Sequence, residues 1–419
     1  MRENVNATAN TPSATGHDPA YAYPMERHCP YHMPAGYGPL RERRPLTRVT
    51  LYDGRSAWLV TGNAEGRALL PDPRLSCDTA HPSFPCLTEE TADQQVSQLP
   101  LIGVDDPVHA RQRRLVASGF GIRRIAALRP HIERAAEELT DAMLAGGNRA
   151  ELVSAYALPL ASEATFTLLG VPSPQRPHLG ELAQRMLSLS GDGSTHQAEQ
   201  TFRQLLRHLE ELISTRHQAP GNGVIDDLIA QHQPLGDADT GELAMMCMVL
   251  ITGGNDTTAV TLATSLHALL EHPDQLARLR SDPALVPGAV EELMRLTSVT
   301  DALLRVALAD IDVAGHTIRA GEGVIFSTML MNRDPDAWED PDTLDVRRKA
   351  GRHVAFGYGI HQCVGQNLAR VEMEIALNTL LRRIPTLRLD DERQVRSVTP
   401  HAQLGGVAEL PVTWRPEGT

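Results

Sequence analysis

A mainly α-helical chain carrying small β-sheets is predicted by three observations. Apolar residues recur at helical spacing through most of the chain beyond Asn63. Strand-like runs are confined to the amino-terminal region, to the stretch from Val306 to Ser327, and to one late run. Near the carboxyl end, Cys363 lies in a glycine-rich turn directly ahead of a long amphipathic helix. No Gly/Ser or Pro-rich linker divides the 419 residues, so one domain is expected over residues 23–419. Residues 1–22, rich in Asn, Thr, Ala, Ser and Pro, are expected to form a disordered leader.

In chain order, Leu46 to Leu51 and Ala57 to Thr61 cluster β-branched and apolar residues around Asp53-Gly54, which predicts a hairpin. Helical periodicity then runs from Pro107 to Phe120, Ile122 to Ala145, Leu152 to Leu169, Leu179 to Leu189, His196 to His217 and Val224 to His232. It continues from Thr240 to His272, where Pro273 marks an end, then from Pro273 to Ser281 and Val286 to Leu296. Val306 to Ala309, Asp312 to Ile318 and Val324 to Ser327 predict a small sheet, with Leu410 to Trp414 as a late strand. Ser76 to Leu101 and Gly170 to Thr195 are irregular, and long segments of that kind are usually functional.

Composition narrows the classes. The formal net charge of -13 disfavours nucleic acid as a partner, because phosphate binding needs a basic face. The five cysteines are odd in number and lack close CxxC spacing, which points away from a disulfide framework and fits a reducing cytoplasm. Cys29 and His32 have half-site spacing for a metal but no second pair in sequence. The longest apolar stretch, Leu243 to Ile251, is too short to span a bilayer, so no membrane is expected.

Four groupings carry chemistry. In the turn, Gly357, Gly359 and Gly365 allow backbone angles that other residues resist, and a helix N-terminus favours negative charge. A cysteine placed there is expected to be a thiolate, either a nucleophile, with His361 as its base, or a metal ligand. Inside the long helix, Gly253-Gly254-Asn255-Asp256-Thr257-Thr258 is a poor helix former, each glycine costing roughly 1 kcal/mol relative to alanine. Such a local conflict marks a site. Glu292 and Arg295 share one helix face, as do His109 and Arg113.

The run from Phe356 to Gly365, Phe-x-x-Gly-x-His-x-Cys-x-Gly, resembles the haem-binding signature of the cytochrome P-450 monooxygenases at every fixed position. The resemblance extends from Tyr23 to Trp414 and is closest to the soluble actinobacterial branch. It implies the fold of that family, a triangular helix-rich prism with haem b between the long central helix and the cysteine loop. Cys363 would be the axial thiolate and hence the metal ligand, Phe356 would pack under the proximal haem face, and Gly359 and Gly365 would allow close backbone approach. Gly253 to Thr257 would pass over the haem with a local distortion, Thr257 bonding dioxygen and Asp256 delivering protons. His109, Arg113, Arg305 and His361 would hold the propionates, although Asp106 replaces the first proline of the family's pattern ahead of that histidine. Glu292 and Arg295 would form a buried network with Arg348, Arg347 being the alternative.

The implied activity is insertion of one oxygen atom from dioxygen into a medium to large apolar secondary metabolite, with a polyketide or macrolide favoured. A ring-forming oxidative cyclase of the same family and a haem-based gas sensor are the alternatives. Electrons would come from NAD(P)H through a ferredoxin reductase and a separate ferredoxin, with Arg111, Arg114, Arg123, Arg124 and Arg352 as a local basic patch. The expected substrate pocket draws on Phe84, Met248, Val249, Gly253, Ala302, Leu303, Leu304 and Leu404. The enzyme is expected to be cytoplasmic.

Overall fold

The computed structural model describes residues 21–89, 99–189, 195–232, 234–398 and 404–415. Its axis is a 35-residue helix, Asp237–Glu271, apolar around nearly its whole circumference. A helix of that kind must be covered on all sides. It packs against the helices Leu158–Leu169, Arg176–Leu189, Thr195–Gln218, Val286–Thr297 and Gln366–Arg383. It begins at Gly236, where the Asp239 carboxylate accepts from the Gly236 N–H, and stops before Pro273. By length and hydropathy this helix could cross a membrane, but most of its apolar window is buried inside the protein, as in a core helix.

The predicted helix over 152–169 is divided. A π-helical turn, Val153–Ala157, precedes Leu158–Leu169, and the Glu151 carboxylate caps the turn by accepting from the amides of Val153 and Ser154. The helix predicted over Leu179 to Leu189 is present and starts earlier, at Arg176, inside the segment Gly170 to Thr195 that also reads as irregular.

A six-stranded sheet runs in the order Tyr21–Ala22, Leu46–Thr50, Ser56–Val60, Gly323–Ser327, Ala302–Ala307, Leu75–Ser76. The predicted hairpin is present, Leu46–Thr50 pairing antiparallel with Ser56–Val60. Tyr21 and Ala22, expected to belong to a disordered leader, pair with Val49 and Thr50 instead. The rest of that leader lies outside the described residues. The strand predicted from Val306 starts earlier, at Ala302, because its partner Gly323–Ser327 extends the pairing to Ser327. The run from Asp312 to Ile318 folds on itself at Ala314-Gly315, both with positive φ, as two short strands.

Candidate active site

The cysteine turn is closed by its own backbone. Cys363 N–H donates to the Phe356 carbonyl at 2.8 Å, and Gly357 N–H donates to Val354 at 2.9 Å. Gly357 and Gly359 have φ of 68° and 83°, and a Cβ on Gly359 would sit 3.0 Å from Pro71 Cα. Gly365 departs from expectation. Its φ is -80°, open to any residue, and a Cβ there would meet Cys363 Sγ at an ordinary 3.8 Å.

Cys363 Sγ opens onto an internal cavity of about 330 Å³, just ahead of the helix Gln366–Arg383. Burial pushes its thiol up from the ordinary value, while the amides of Gly365 and Gln366 and the charges of Arg113 and Arg370 pull it down; the net shift is upward. Burial and the helix start thus act on the thiol in opposite directions. The alternative base, His361, turns away: its nitrogens face the Leu101 carbonyl and Cys77 Sγ, each at 3.3 Å.

Val249, Gly253, Thr257 and Thr261 line the cavity at intervals of four, one face of the central helix. Met248 was expected beside Val249 in the pocket; a step of one residue turns it about 100° away, into the main core. The helix runs without a break through Gly253-Gly254, from Asp237 to Glu271. What Gly254 permits is helix contact: a Cβ there would lie 2.8 Å from Thr165 Oγ1. Thr257 Oγ1 donates back to the Gly253 carbonyl, leaving its oxygen as an acceptor toward the cavity. Asp256 is buried with Oδ2 unpartnered, and burial raises its carboxyl to about 7.

Strand alternation divides another part of the expected pocket. In Ala302–Ala307, Leu303 and Arg305 face the cavity. Ala302 and Leu304 point to the other side and join Phe84 in a separate apolar cluster. Leu404 stands apart as well, bridging to Thr300. Phe120 and Tyr358, not expected in the pocket from sequence, complete the wall together with Leu250 and Thr300. Phe120 closes the predicted Pro107 to Phe120 segment in a short 3-10 turn, where helical spacing does not tell which side it faces.

At one side of the cavity lie the basic residues. His109 is buried, its Nδ1 3.3 Å from Asp106 Oδ1 and its Nε2 without a partner. Its ring centroid is 3.9 Å from that of His361. Burial lowers both histidines, His361 to about 4, with Arg305 and His109 adding to the effect. Arg113 and Arg305 line the cavity and form no ion pair among the described residues; Arg305 donates only to the Leu304 carbonyl, at 2.7 Å. Burial lowers both guanidinium groups.

Beneath the turn, Arg295 meets Glu292 through two hydrogen bonds of 2.6 and 2.8 Å with both side chains fully buried. Arg348 Nε donates to Glu292 at 3.0 Å, whereas Arg347 is exposed. A second network was not foreseen. Arg370 grips Glu291 at 2.6 and 3.1 Å, His353 approaches Glu291 at 3.1 Å, and the Arg370 guanidinium lies 4.5 Å from the Phe356 ring. Burial would raise Glu291, but His353 and Arg370 hold it down at about 2. Its sequence signal was the doubled Glu291-Glu292, of which only one carboxylate has a partner three residues on.

A helix-rich scaffold that sets one cysteine and two unpaired arginines around an internal cavity is suited to holding a haem. The family profile described as Cytochrome P450 matches residues 161–404. The chain is 49% identical to pentalenic acid synthase of Streptomyces avermitilis, covering 94% of this chain and 97% of that protein. It is 44% identical to the vitamin D3 dihydroxylase of Streptomyces griseolus, over 97% and 99% of the two chains. The crystal structure of the mycinamicin VIII C21 methyl hydroxylase of Micromonospora griseorubida, bound to mycinamicin VIII, superposes with a TM-score of 0.86 at 34% identity, covering 94% and 100%. The chain belongs to the cytochrome P450 family and is a haem-dependent monooxygenase.

Proposed function

We propose that Cys363 is the axial ligand of haem b in a catalytic domain spanning residues 23–419. The observation that carries this is the cavity itself: Cys363 Sγ, the Gly253–Thr257 face and the unpaired Arg113 and Arg305 all border it. The donor set fits haem. His109 Nε2, Arg113 and Arg305 are buried or half-buried donors without anionic partners, as two propionates require. With a thiolate ligand, haem supplies chemistry that favours O–O cleavage.

The chain's own residues then have separate tasks. Asp256, with a carboxyl near pH 7, holds or releases a proton at its free Oδ2. Thr257 offers its hydroxyl oxygen to the cavity and orients what enters there. Val249, Leu250, Leu303 and Val299 exclude water and hold an apolar substrate. That substrate is a secondary metabolite, with a macrolide or polyketide favoured by the similarity to the mycinamicin hydroxylase. The other relatives are named for pentalenic acid and vitamin D3, so the family resemblance alone does not select the substrate.

Electrons come from NAD(P)H through a ferredoxin reductase and a ferredoxin, in the cytoplasm. Of the arginines expected to receive that partner, Arg111 and Arg124 are engaged with Glu242 and Asp227, while Arg114, Arg123 and Arg352 are exposed. The test is the carbon monoxide difference spectrum of the reduced protein, followed by oxygen-dependent NADPH consumption with a surrogate ferredoxin and reductase. A thiolate-type Soret band with substrate-stimulated consumption is expected. A histidine-type band would overturn the ligand assignment, and a thiolate band with no consumption on any ligand would indicate a gas sensor.

A further inference from the structure

A buried carboxylate behind the cavity wall is used by none of the roles above. Val299, Thr300 and Leu303 border the cavity, and Asp301 lies among them in sequence with its side chain buried. Its Oδ1 accepts from the Ser327 hydroxyl at 2.7 Å and from the Met329 N–H at 2.9 Å. Its Oδ2 accepts from two phenols, Tyr37 at 3.1 Å and Tyr23 at 3.3 Å. All four donors are uncharged.

Both phenols come from the amino-terminal segment. Tyr23 follows the strand Tyr21–Ala22, and Tyr37 ends the 3-10 turn Ala35–Tyr37. Their rings stack with centroids 6.0 Å apart and 14° between the planes. Burial, with the Asp301 charge adding to it, pushes both phenols above their ordinary range, so they keep the protons they donate. Arg27 of the same segment reaches the wall by a second route. Its guanidinium packs on Gly405, where an added Cβ would collide with it, and the Gly405 N–H donates to the Val299 carbonyl at 2.8 Å.

The two carboxylate oxygens tie the wall to different layers. Oδ1 is held by Ser327, at the end of the strand Gly323–Ser327, and by the turn after it, while the Asp301 carbonyl accepts from the Thr328 N–H at 2.7 Å. Oδ2 is held by the phenols alone. A buried carboxylate oxygen left without donors is costly, so the side chain would turn toward water or another donor. Thr300 and Ala302 share its backbone, so that turn is passed to the wall.

We propose that Asp301 is a positioning residue for the substrate, and that Tyr23 and Tyr37, neither of which lines the cavity, hold through it the wall of Val299, Thr300 and Leu303 against an apolar substrate. The inference rests on the reading that this cavity holds haem and an apolar substrate, and it places a determinant of fit outside the pocket. The amino-terminal segment is then a backing layer for the wall.

The experiment compares two haem ligands, imidazole and phenylimidazole, by titrating the Soret band. Both bind iron through a ring nitrogen, and only the second carries a phenyl group to press on the wall. The variant combining Tyr23→Phe with Tyr37→Phe keeps both rings and removes both donors. Its imidazole dissociation constant should equal that of wild type, while that for phenylimidazole should rise about tenfold, the scale of a hydrogen bond to a charged group. Tyr37→Phe alone should give about threefold. Leu279→Ala, in the helix Pro273–Ser281 and away from the cavity, is the control for stability: it should lower the urea midpoint and leave the ratio of the two constants unchanged. A ratio unchanged in the double variant, or moved as far by Leu279→Ala, overturns the proposal, because the tyrosines then act on stability alone. Where the double variant fails to fold, the ratio in Tyr37→Phe decides. A wild type that holds no haem overturns the reading of the cavity and this inference with it, whereas haem with an unchanged ratio overturns this inference alone.

Discussion

Two sides of the cavity are built on opposite principles. Beneath the cysteine turn two carboxylates are held by cations, Glu292 by Arg295 and Arg348 and Glu291 by Arg370 and His353, and the Val354 amide donates to Asn332 Oδ1 at 2.7 Å; the buried carboxyl of Glu372 on the following helix is the exception, with no partner among the described residues. On the central-helix side Thr165 Oγ1 borders the cavity without a partner, while Asp256 Oδ2 and Asn255 Oδ1 are buried and unpartnered on residues outside the cavity lining. Paired networks over-determine one geometry and resist change. Unpaired groups facing a cavity are costly to keep unless something arriving there uses them. The first side holds a cofactor loop still, and the second is open to function.

The comparison is broken most completely at the sulfur. Cys363→Ala should abolish the thiolate-type carbon monoxide spectrum while leaving the two ion-pair networks able to fold the scaffold. The check is that spectrum together with far-ultraviolet circular dichroism. A retained thiolate band would mean another ligand.

Next in size is the paired side. Glu292→Gln leaves Arg295 as a fully buried, uncompensated cation, and breaking such a pair costs about 3–5 kcal/mol. The urea midpoint should fall with an unchanged slope, and haem should be lost before global unfolding. Arg347→Ala, at an exposed position, should change neither.

The same contrast explains what the sequence discloses. The cysteine turn, the Glu292–Arg295 pair and the His109–Arg113 pair are each read from one short segment, because their partners are set by backbone angles or by spacing along one helix. Glu291 could not be placed that way: its partners His353 and Arg370 are 62 and 79 residues distant. The apolar wall was half legible for a different reason. Val249, Gly253 and Leu303 line the cavity, whereas Met248, Ala302 and Leu304, expected beside them, do not, since sequence neighbours on a helix or strand face different ways. Leu303 and Leu304 turn this into a measurement. Leu304→Ala should cost about 2–5 kcal/mol of stability, as buried leucine truncations do. Leu303→Ala should cost less and alter substrate affinity or the position oxidised, scored by product analysis. Equal effects on both readouts would mean that the alternation does not separate pocket from core.

The last expected effect concerns Asp256, and its sign follows from burial alone. Burial raises its carboxyl from 3.8 to about 7, so the folded protein binds the proton more tightly than the unfolded chain does. That contribution to stability is fully present below about pH 4 and is lost as pH rises toward 7. Asp256→Asn, which stays neutral, should therefore gain on wild type between those values and keep a constant advantage above them. Urea midpoints of the two proteins across pH 4 to 8 measure the difference. If the gap stays flat, the carboxylate has found a partner in the folded protein, and the helix side of the cavity is paired like the other. If the gap opens as described, wild type carries a destabilising ionisation that Asn would remove. A proton donor that must regain its proton near neutral pH is a physical reason to keep the carboxyl there.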